Sequence, residues 1–215
     1  MGNMKLYMAP GSCTTAAHII LEELDAVFEA HVISLPAGDH LKTDYVAINP
    51  KSTIPTLVRP DGSSLTELQA IACWLARSHP RAGLWPADME LEIQAIELMA
   101  YIVGTVHGQG FARIFSPGAF CQDVEKQDEI QNYGRELIRR CFAILNDRIS
   151  PEAYAVGGFS VVDPILFYVE FWADKTGLSL PPALAAHYKR MLFRPAVDRV
   201  LREEGYRPDT LARGL

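Results

Sequence analysis

A cysteine stands at the start of a helix near the beginning of the chain. The segment from Lys5 to Leu21 (KLYMAPGSCTTAAHIIL) is typical of a short strand, a Pro-Gly turn and a helix with Cys13 in its first turn. Free backbone N–H groups and the positive end of the helix dipole favour a thiolate there, and the thiolate is the reactive form of cysteine. We therefore expect Cys13 to be a nucleophile with a lowered pKa, although most cysteines are small buried hydrophobes.

Composition excludes several classes of protein. The 215 residues are 49% hydrophobic and 21% charged, which is ordinary for a soluble globular chain. The net charge of −6 argues against a nucleic-acid partner, because such a partner needs a basic surface. No apolar run is long enough to span a membrane, and the first thirty residues lack the pattern of a signal peptide. We expect a cytoplasmic protein with no membrane association.

The four cysteines indicate neither a disulfide framework nor a metal centre. They are widely spaced along the chain, with no C-x-x-C pair and no Cys/His ligand cluster: Cys13, Cys73, Cys121 and Cys141. We expect reduced thiols, of which Cys13 is the most reactive, and no bound metal.

The first eighty residues alternate between the periods of strands and helices. Strands are predicted over Lys5–Met8 and Phe28–Leu35 and in a hairpin with an Asp-Gly turn, formed by Ile54–Val58 and Ser63–Leu65. Helices are predicted over His18–Leu24, Leu41–Ile48 and Glu67–Ser78. The order βαβαββα predicts a small mixed sheet with helices on its faces, in a domain of residues 1–80.

Strand signals end near Asp88, and the rest of the chain has helical spacing. Helices are predicted over Glu90–Phe115 and Glu129–Arg148, from Val162, after the Pro181-Pro182 pair and from Pro195. Ser160 and Asp163 resemble a capping box at the start of the third of these. This part is predicted to be a helical domain of residues 88–205.

Four motifs follow one another along the chain, and together they resemble a bacterial glutathione S-transferase, closest to the cysteine-containing beta class. They are KLY…PGSC from Lys5, INPKSTIPTL from Ile48, LTE from Leu65 and FSVVD from Phe159. The resemblance covers nearly the whole chain. It implies the cytosolic glutathione transferase fold: an α/β, thioredoxin-like N-terminal domain that binds glutathione, and an all-α C-terminal domain that helps to form the pocket for an electrophile.

The resemblance also implies a set of contacts with glutathione. The Ile54-Pro55 bond would be cis and would present the backbone of Ile54 to the cysteinyl part of glutathione. Glu67 would receive the γ-glutamyl amino group, while the next residue and free N–H groups of the helix would hold the γ-glutamyl carboxylate. That next residue is Leu68, where the family usually has Ser. If the leucine does not pack in the core, we expect Leu68→Ser to tighten glutathione binding.

Two further features of the glutathione site stay open. Related sequences often have a lysine near residues 35–38 for the glycine carboxylate of glutathione, whereas this chain has only His40 and Lys42 nearby. The sulfur could be activated by Cys13, by Tyr7 or by Ser12 or Thr14, as different classes of the family do. Position 16 is Ala, so a dithiol cycle is not expected; Cys13 would form a mixed disulfide with glutathione or a hydrogen bond to its thiolate.

His107 lies in the long predicted helix that should line the electrophile pocket. Relatives of the beta class commonly have His-Lys near this point, and only the histidine is present here. A lone helical histidine is also often a packed or surface residue. Gly104, Gly108 and Gly110 each cost roughly 1 kcal/mol relative to Ala in a helix, which suggests close approach of a ligand or of a second helix.

The sequence therefore predicts a homodimeric detoxification enzyme that adds glutathione, its co-substrate, to a small apolar electrophile without any other cofactor. Cys13 and His107 are the predicted catalytic residues, and Ile54, Pro55, Glu67 and Leu68 are predicted to bind glutathione. The alternatives are a glutathione-dependent thiol-disulfide reductase or peroxidase, and a related binding protein with little catalysis.

Overall fold

The computed structural model describes residues 3–212, whose first part builds a four-stranded sheet. The strands are β1 (Met4–Met8), β2 (Phe28–Val32), β3 (Thr56–Val58) and β4 (Ser64–Thr66). They lie in the order β2-β1-β3-β4, with β1 parallel to β2 and β3 antiparallel to both of its neighbours. The parallel pair requires a crossover, and the helix between β1 and β2 supplies it.

Helices make up most of the remaining structure. The α-helices are α1 (Thr14–Glu23), α2 (Thr43–Ile48), α3 (Leu68–Ser78), α4 (Met89–Tyr101), α5 (Ala112–Phe115), α6 (Gln127–Arg148), α7 (Val162–Thr176), α8 (Pro182–Leu192) and α9 (Pro195–Glu203). The thioredoxin-like sheet followed by a helical part confirms the predicted fold class. No helix in the described part of the chain is long and apolar enough to cross a membrane.

The helix predicted over Glu90–Phe115 is present, but its middle is a π-helix, Ile102–Phe111, between α4 and α5. A side-chain Cβ at Gly110 would lie 2.5 Å from Cγ1 of Ile138 on α6. Gly110 therefore permits the close approach of a second helix that the sequence suggested, whereas Gly104 has open space around it. Three glycines weaken the preference for α-helical geometry here, and π-helical turns occur frequently at functional sites.

The strand register places three connecting segments at the same edge of the sheet. Tyr7, near the end of β1, pairs with Thr56 at the start of β3, and Thr56 pairs with Thr66 at the end of β4. The loop that follows β1, the loop that precedes β3 and the turn that follows β4 consequently leave the sheet at the same edge.

The chain divides into two compact units. The first runs to Trp85 and also includes Leu192–Leu211, and the second is Pro86–Met191. In the first unit, α9 packs on α1, and the guanidinium of Arg194 donates to both carboxylate oxygens of Glu23 at 2.6 and 2.8 Å. The domain limits 1–80 and 88–205 stay a prediction.

The second unit contains half of the predicted capping box and a buried cluster of charged side chains. Asp163 accepts the N–H of Ser160 at 2.7 Å, as in a capping box, but the Ser160 hydroxyl accepts the N–H of Val162 at 3.2 Å and the N–H of Asp163 donates to the Ser160 carbonyl, so one half of the box is present. His187 lies between Asp163, 3.1 Å from Nε2, and Glu170, 2.8 Å from Nδ1, and all three side chains are fully buried. These contacts join the start and middle of α7 to α8.

Candidate functional site

Cys13 is the N-cap residue of α1, at the sheet edge defined above. Its side chain is buried, with 8% of the residue exposed, and Sγ donates a weak hydrogen bond to the carbonyl oxygen of Ile54 at 3.7 Å. The Cys13 thiol, which follows β1, is therefore in direct contact with the backbone of the loop that precedes β3, in agreement with the strand topology.

The prediction of a lowered Cys13 pKa is wrong. The pKa of Cys13 is raised from 9.0 to about 12: burial is the main cause, a backbone hydrogen bond partly opposes it, and the negative charge of Glu67 adds a smaller increase. The start of a helix favours a thiolate, but loss of hydration outweighs that effect for a group with so little access to water. Cys13 is consequently a neutral thiol that can donate a hydrogen bond.

The other candidates for activating sulfur are engaged in local structure. The ring of Tyr7 stacks on that of His31 with 4.8 Å between centroids. The Ser12 hydroxyl lies 2.7 Å from the Thr14 hydroxyl and accepts the N–H of Thr14 at 3.1 Å. These contacts are typical of a packed strand aromatic and of a turn at the start of a helix.

The Ile54-Pro55 bond is cis, as predicted. The preceding loop is held in place from within the first unit. The Asn49 amide donates to the Thr53 carbonyl at 2.8 Å, and the Tyr45 hydroxyl donates to the same oxygen at 2.5 Å. The position of the Ile54 carbonyl beside Cys13 is therefore determined by buried side chains of α2 and of the loop after it.

Glu67 is the N-cap residue of α3 and has a backbone φ of +69°. Such a conformation costs of order 1–3 kcal/mol for a residue with a side chain and is concentrated at functional sites. The exposed carboxylate makes no capping hydrogen bond to its own helix and instead pairs with Lys51, whose Nζ is 2.7 Å away. Its negative charge makes a small contribution to the raised pKa of Cys13.

Leu68 lies in the core, so the condition attached to the predicted effect of Leu68→Ser is not met. Only 3% of the residue is exposed, at the first position of α3. A serine at this position would leave a cavity and bury its hydroxyl group. Any contribution of Leu68 to an anion site has to come from its backbone N–H at the start of the helix.

Of the two residues that could replace the missing lysine near residues 35–38, Lys42 is paired with an acid and His40, within the described part of the chain, is not. Lys42 Nζ is 2.6 Å from Oδ1 of Asp39. Nδ1 of His40 is buried and has no hydrogen-bond partner among the residues that the structure describes.

His107 belongs to the π-helix of the second unit and contacts an aromatic cluster. Its Nδ1 is 3.2 Å from the Tyr168 hydroxyl, and the imidazole lies edge to face with Trp172 at 4.9 Å between centroids. Burial lowers the pKa of His107 to about 4. The imidazole is therefore neutral at pH 7 and can accept or donate one hydrogen bond, but it supplies no positive charge.

Sequence reasoning missed Glu204, a buried carboxylate in the first unit. It follows α9 directly, and one of its oxygens accepts the N–H of Gly11 at 2.7 Å. No local pattern could reveal this contact, because the two residues are 193 positions apart. Nearby, ligand atoms of His18, Glu22 and Glu203 lie within 4.8 Å of one another, although Glu22 is also paired with Arg199 at 2.7 Å.

The chain has a four-stranded thioredoxin-like sheet, a cysteine at its first helix and a helical part after the sheet. This combination is typical of transferases with a thioredoxin-like and a helical domain, and comparison with known proteins identifies the family. The model for the glutathione S-transferase N-terminal domain matches residues 11–78. Glutathione S-transferase GstA of Escherichia coli O157:H7 is 33% identical over 211 residues, covering 94% of this chain and 99% of that protein. The chain therefore belongs to the glutathione S-transferase family, and the predicted resemblance is confirmed.

Solved structures agree with this assignment. A glutathione transferase homologue from Sulfitobacter, determined with bound glutathione, superposes with a TM-score of 0.86 at 28% identity, over 94% of this chain and 99% of that one. A bacterial beta-class glutathione S-transferase from Sphingomonas chungbukensis superposes with a TM-score of 0.79 at 28% identity, over 94% and 98% of the two chains.

Proposed function

We propose that this protein is a glutathione transferase that joins the sulfur of glutathione to a small apolar electrophile, in detoxification. The observation that carries the proposal is the contact of Cys13 with the Ile54 backbone, at the sheet edge where Glu67 follows β4, in a member of this family. In the reaction, the glutathione thiol loses its proton to solvent, the thiolate forms a bond to carbon, and a leaving group such as halide departs with the electron pair of the broken bond.

Glutathione binds in the first unit through three groups. The backbone of Ile54 pairs with the cysteinyl part beside Pro55, and the Glu67 carboxylate receives the γ-glutamyl amino group. The γ-glutamyl carboxylate lies at the start of α3, where the Leu68 N–H and the helix dipole favour an anion. The absence of a serine hydroxyl at position 68 removes one donor from this site, which weakens binding relative to a site that has one.

Cys13 acts as a hydrogen-bond donor to the glutathione thiolate. Its raised pKa supports this role, since a thiol that stays protonated at pH 7 can donate to an anion but is a poor nucleophile. The same observation disfavours a thiol-disulfide reductase, whose cysteine has to attack as a thiolate. We also expect His107, a neutral imidazole, to contribute to turnover more than to glutathione affinity.

The experiment measures glutathione affinity by calorimetry and turnover with an aryl halide. We expect Cys13→Ser, which keeps a donor, to retain more kcat than Cys13→Ala. We expect Glu67→Gln to weaken glutathione binding about tenfold or more, the cost of losing a charged hydrogen-bond partner. Glu90→Gln is the matched control, because Glu90 is an exposed acid in the first turn of α4. Binding of glutathione without turnover of any aryl halide would favour the non-catalytic alternative.

We also propose that the protein is a homodimer located in the cytoplasm. Three apolar side chains of α4 at helical spacing are exposed, Met89 at 72%, Ile93 at 53% and Ile96 at 46%. A second copy would remove this stripe from water. Ile93→Glu should yield a monomer in light scattering, whereas Ile144→Glu, an equally exposed position on α6, should not.

A further inference from the structure

We propose that Glu204 is a positioning residue for the loop that carries Cys13. The proposal rests on the function proposed above, because it assigns Cys13 a role in turnover. Glu204 itself touches neither reactant in this scheme; it acts by holding the backbone before the thiol and two side chains of α1 after it.

Glu204 contacts residues on both sides of Cys13 in the sequence. Oε2 accepts the N–H of Gly11, two residues before the cysteine, and the hydroxyl of Thr15, two residues after it, both at 2.7 Å. Oε1 is 3.0 Å from Nδ1 of His18, one turn further along α1. A single carboxylate therefore ties the end of the loop and the first turn of the helix to one point.

Because Glu204 is buried, its carboxylate depends on these hydrogen bonds. The Glu204 side chain is 1% exposed, and a carboxylate removed from water is costly unless hydrogen bonds replace its hydration. Because Gly11, Thr15 and His18 provide those hydrogen bonds, displacement of the loop would deprive the buried carboxylate of the N–H of Gly11, and movement of α1 would remove the other two partners. The desolvated carboxylate thus opposes movement of the loop.

The chain around Glu204 is itself held against the first unit. Arg194, the N-cap residue of α9, pairs with Glu23 on α1, and Arg199 on α9 pairs with Glu22 on α1. Past α9, the Tyr206 hydroxyl packs on Gly11 so closely that a Cβ there would lie 1.9 Å from its oxygen, and Gly11 has a φ of +71°. Both the space and the backbone conformation at Gly11 therefore require glycine.

The consequence for catalysis follows from the position of Cys13. Its thiol must stay beside the Ile54 carbonyl to reach the sulfur of glutathione bound there. The hydrogen bonds that the Glu204 carboxylate makes in the described part of the chain go to Gly11, Thr15 and His18, whereas Glu67 and the start of α3 bind the γ-glutamyl group in this proposal. Loss of the Glu204 contacts should consequently lower kcat and leave the KM for glutathione nearly unchanged.

The test compares Glu204→Gln with Glu23→Gln. Each removes one carboxylate that joins the C-terminal segment to α1, but only Glu204 contacts the Cys13 loop. The amide NH2 of glutamine cannot accept hydrogen bonds, so it cannot replace both carboxylate oxygens as an acceptor. Thr15→Val is a milder variant that deletes one contact and keeps the side-chain shape, and it carries the test if Glu204→Gln does not fold.

Two measurements are made on each protein: steady-state kinetics with glutathione and an aryl halide, and hydrogen exchange of the amides from Gly11 to Cys13. We expect Glu204→Gln to lower kcat about tenfold or more, with KM for glutathione within about twofold, and to accelerate amide exchange in the loop. Glu23→Gln should lower the melting temperature without either effect.

Equal kcat and equal loop exchange in Glu204→Gln and Glu23→Gln would overturn the positioning role. A wild-type protein that turns over no aryl halide would instead refute the proposed function. Amide exchange needs no substrate, so in that case unchanged exchange in Glu204→Gln still overturns the positioning role and faster exchange still supports it.

Discussion

The reactivity of Cys13 offers a direct test of the site, through alkylation of the folded protein by iodoacetamide at pH 7. A shift of the Cys13 pKa from 9.0 to about 12 lowers the thiolate fraction about a thousandfold relative to an unperturbed cysteine. Because iodoacetamide reacts with the thiolate, we expect Cys13 to be alkylated far more slowly than Cys73 and Cys121, which are half-buried. This reverses the order of reactivity that the sequence predicts.

The assay is a time course of alkylation followed by peptide mapping. The same reaction in urea is the control, since all four cysteines should then react at similar rates. Raising the pH from 7 to 9 should accelerate Cys13 labelling about tenfold per unit without a plateau, as expected for a thiol that titrates near pH 12. Preferential labelling of Cys13 at mildly acidic pH would refute the reasoning and restore the thiolate at the helix start.

Three further predictions concern stability, measured by urea denaturation. His187→Leu should lower the free energy of unfolding by about 3–5 kcal/mol at pH 7, because it leaves two buried carboxylates without the imidazole between them. Burial alone would lower the His187 pKa, but Glu170 and Asp163 raise it to about 9. The stability from this pairing is therefore fully present below about pH 6.5 and is lost as the pH rises through 9, a decline that the variant should lack. Leu68→Ser should cost about 2–5 kcal/mol, since it empties a core position. Gly110→Ala should cost about 1–3 kcal/mol by overpacking against α6.

Each of these predictions has an outcome that contradicts it. A wild-type stability that is constant from pH 6.5 to 10 would show that His187 is not paired as described. Cys73→Ser, a half-buried position of the same helix, is the control for Leu68→Ser, and equal losses in the two would contradict a core role for Leu68. Gly104→Ala, where a Cβ meets open space, should cost less than Gly110→Ala, and a larger loss would contradict the close helix contact.

Local patterns were sufficient to predict most helices and strands, although not the π-helix at Ile102–Phe111. The Asp-Gly hairpin, the capping contact between Ser160 and Asp163 and the helix that follows Glu67 were all predicted, because turn chemistry and hydrophobic period act over a few residues. The strand register then explains why Cys13, Ile54 and Glu67 come together: they follow or precede strands that end at one edge.

Properties that depend on burial were not predictable in this way. The sequence pattern indicated a lowered Cys13 pKa from the helix start alone, whereas the depth of the thiol reverses the sign. The core position of Leu68 and the neutral state of His107 depend equally on how much water neighbouring elements exclude. Desolvation is a sum over atoms from many segments, so a pattern of a few residues does not contain it.

The sequence by itself determined the family, the order of strands and helices along the chain, and the candidate residues of the site. Each of these is recorded in short motifs and their spacing. Only the tertiary structure decided the charge of those residues and the support around them. The contact of Glu204 with Gly11 joins positions 193 residues apart. A buried carboxylate and its distant hydrogen-bond donors are related by folding of the whole unit, not by any local preference of the chain.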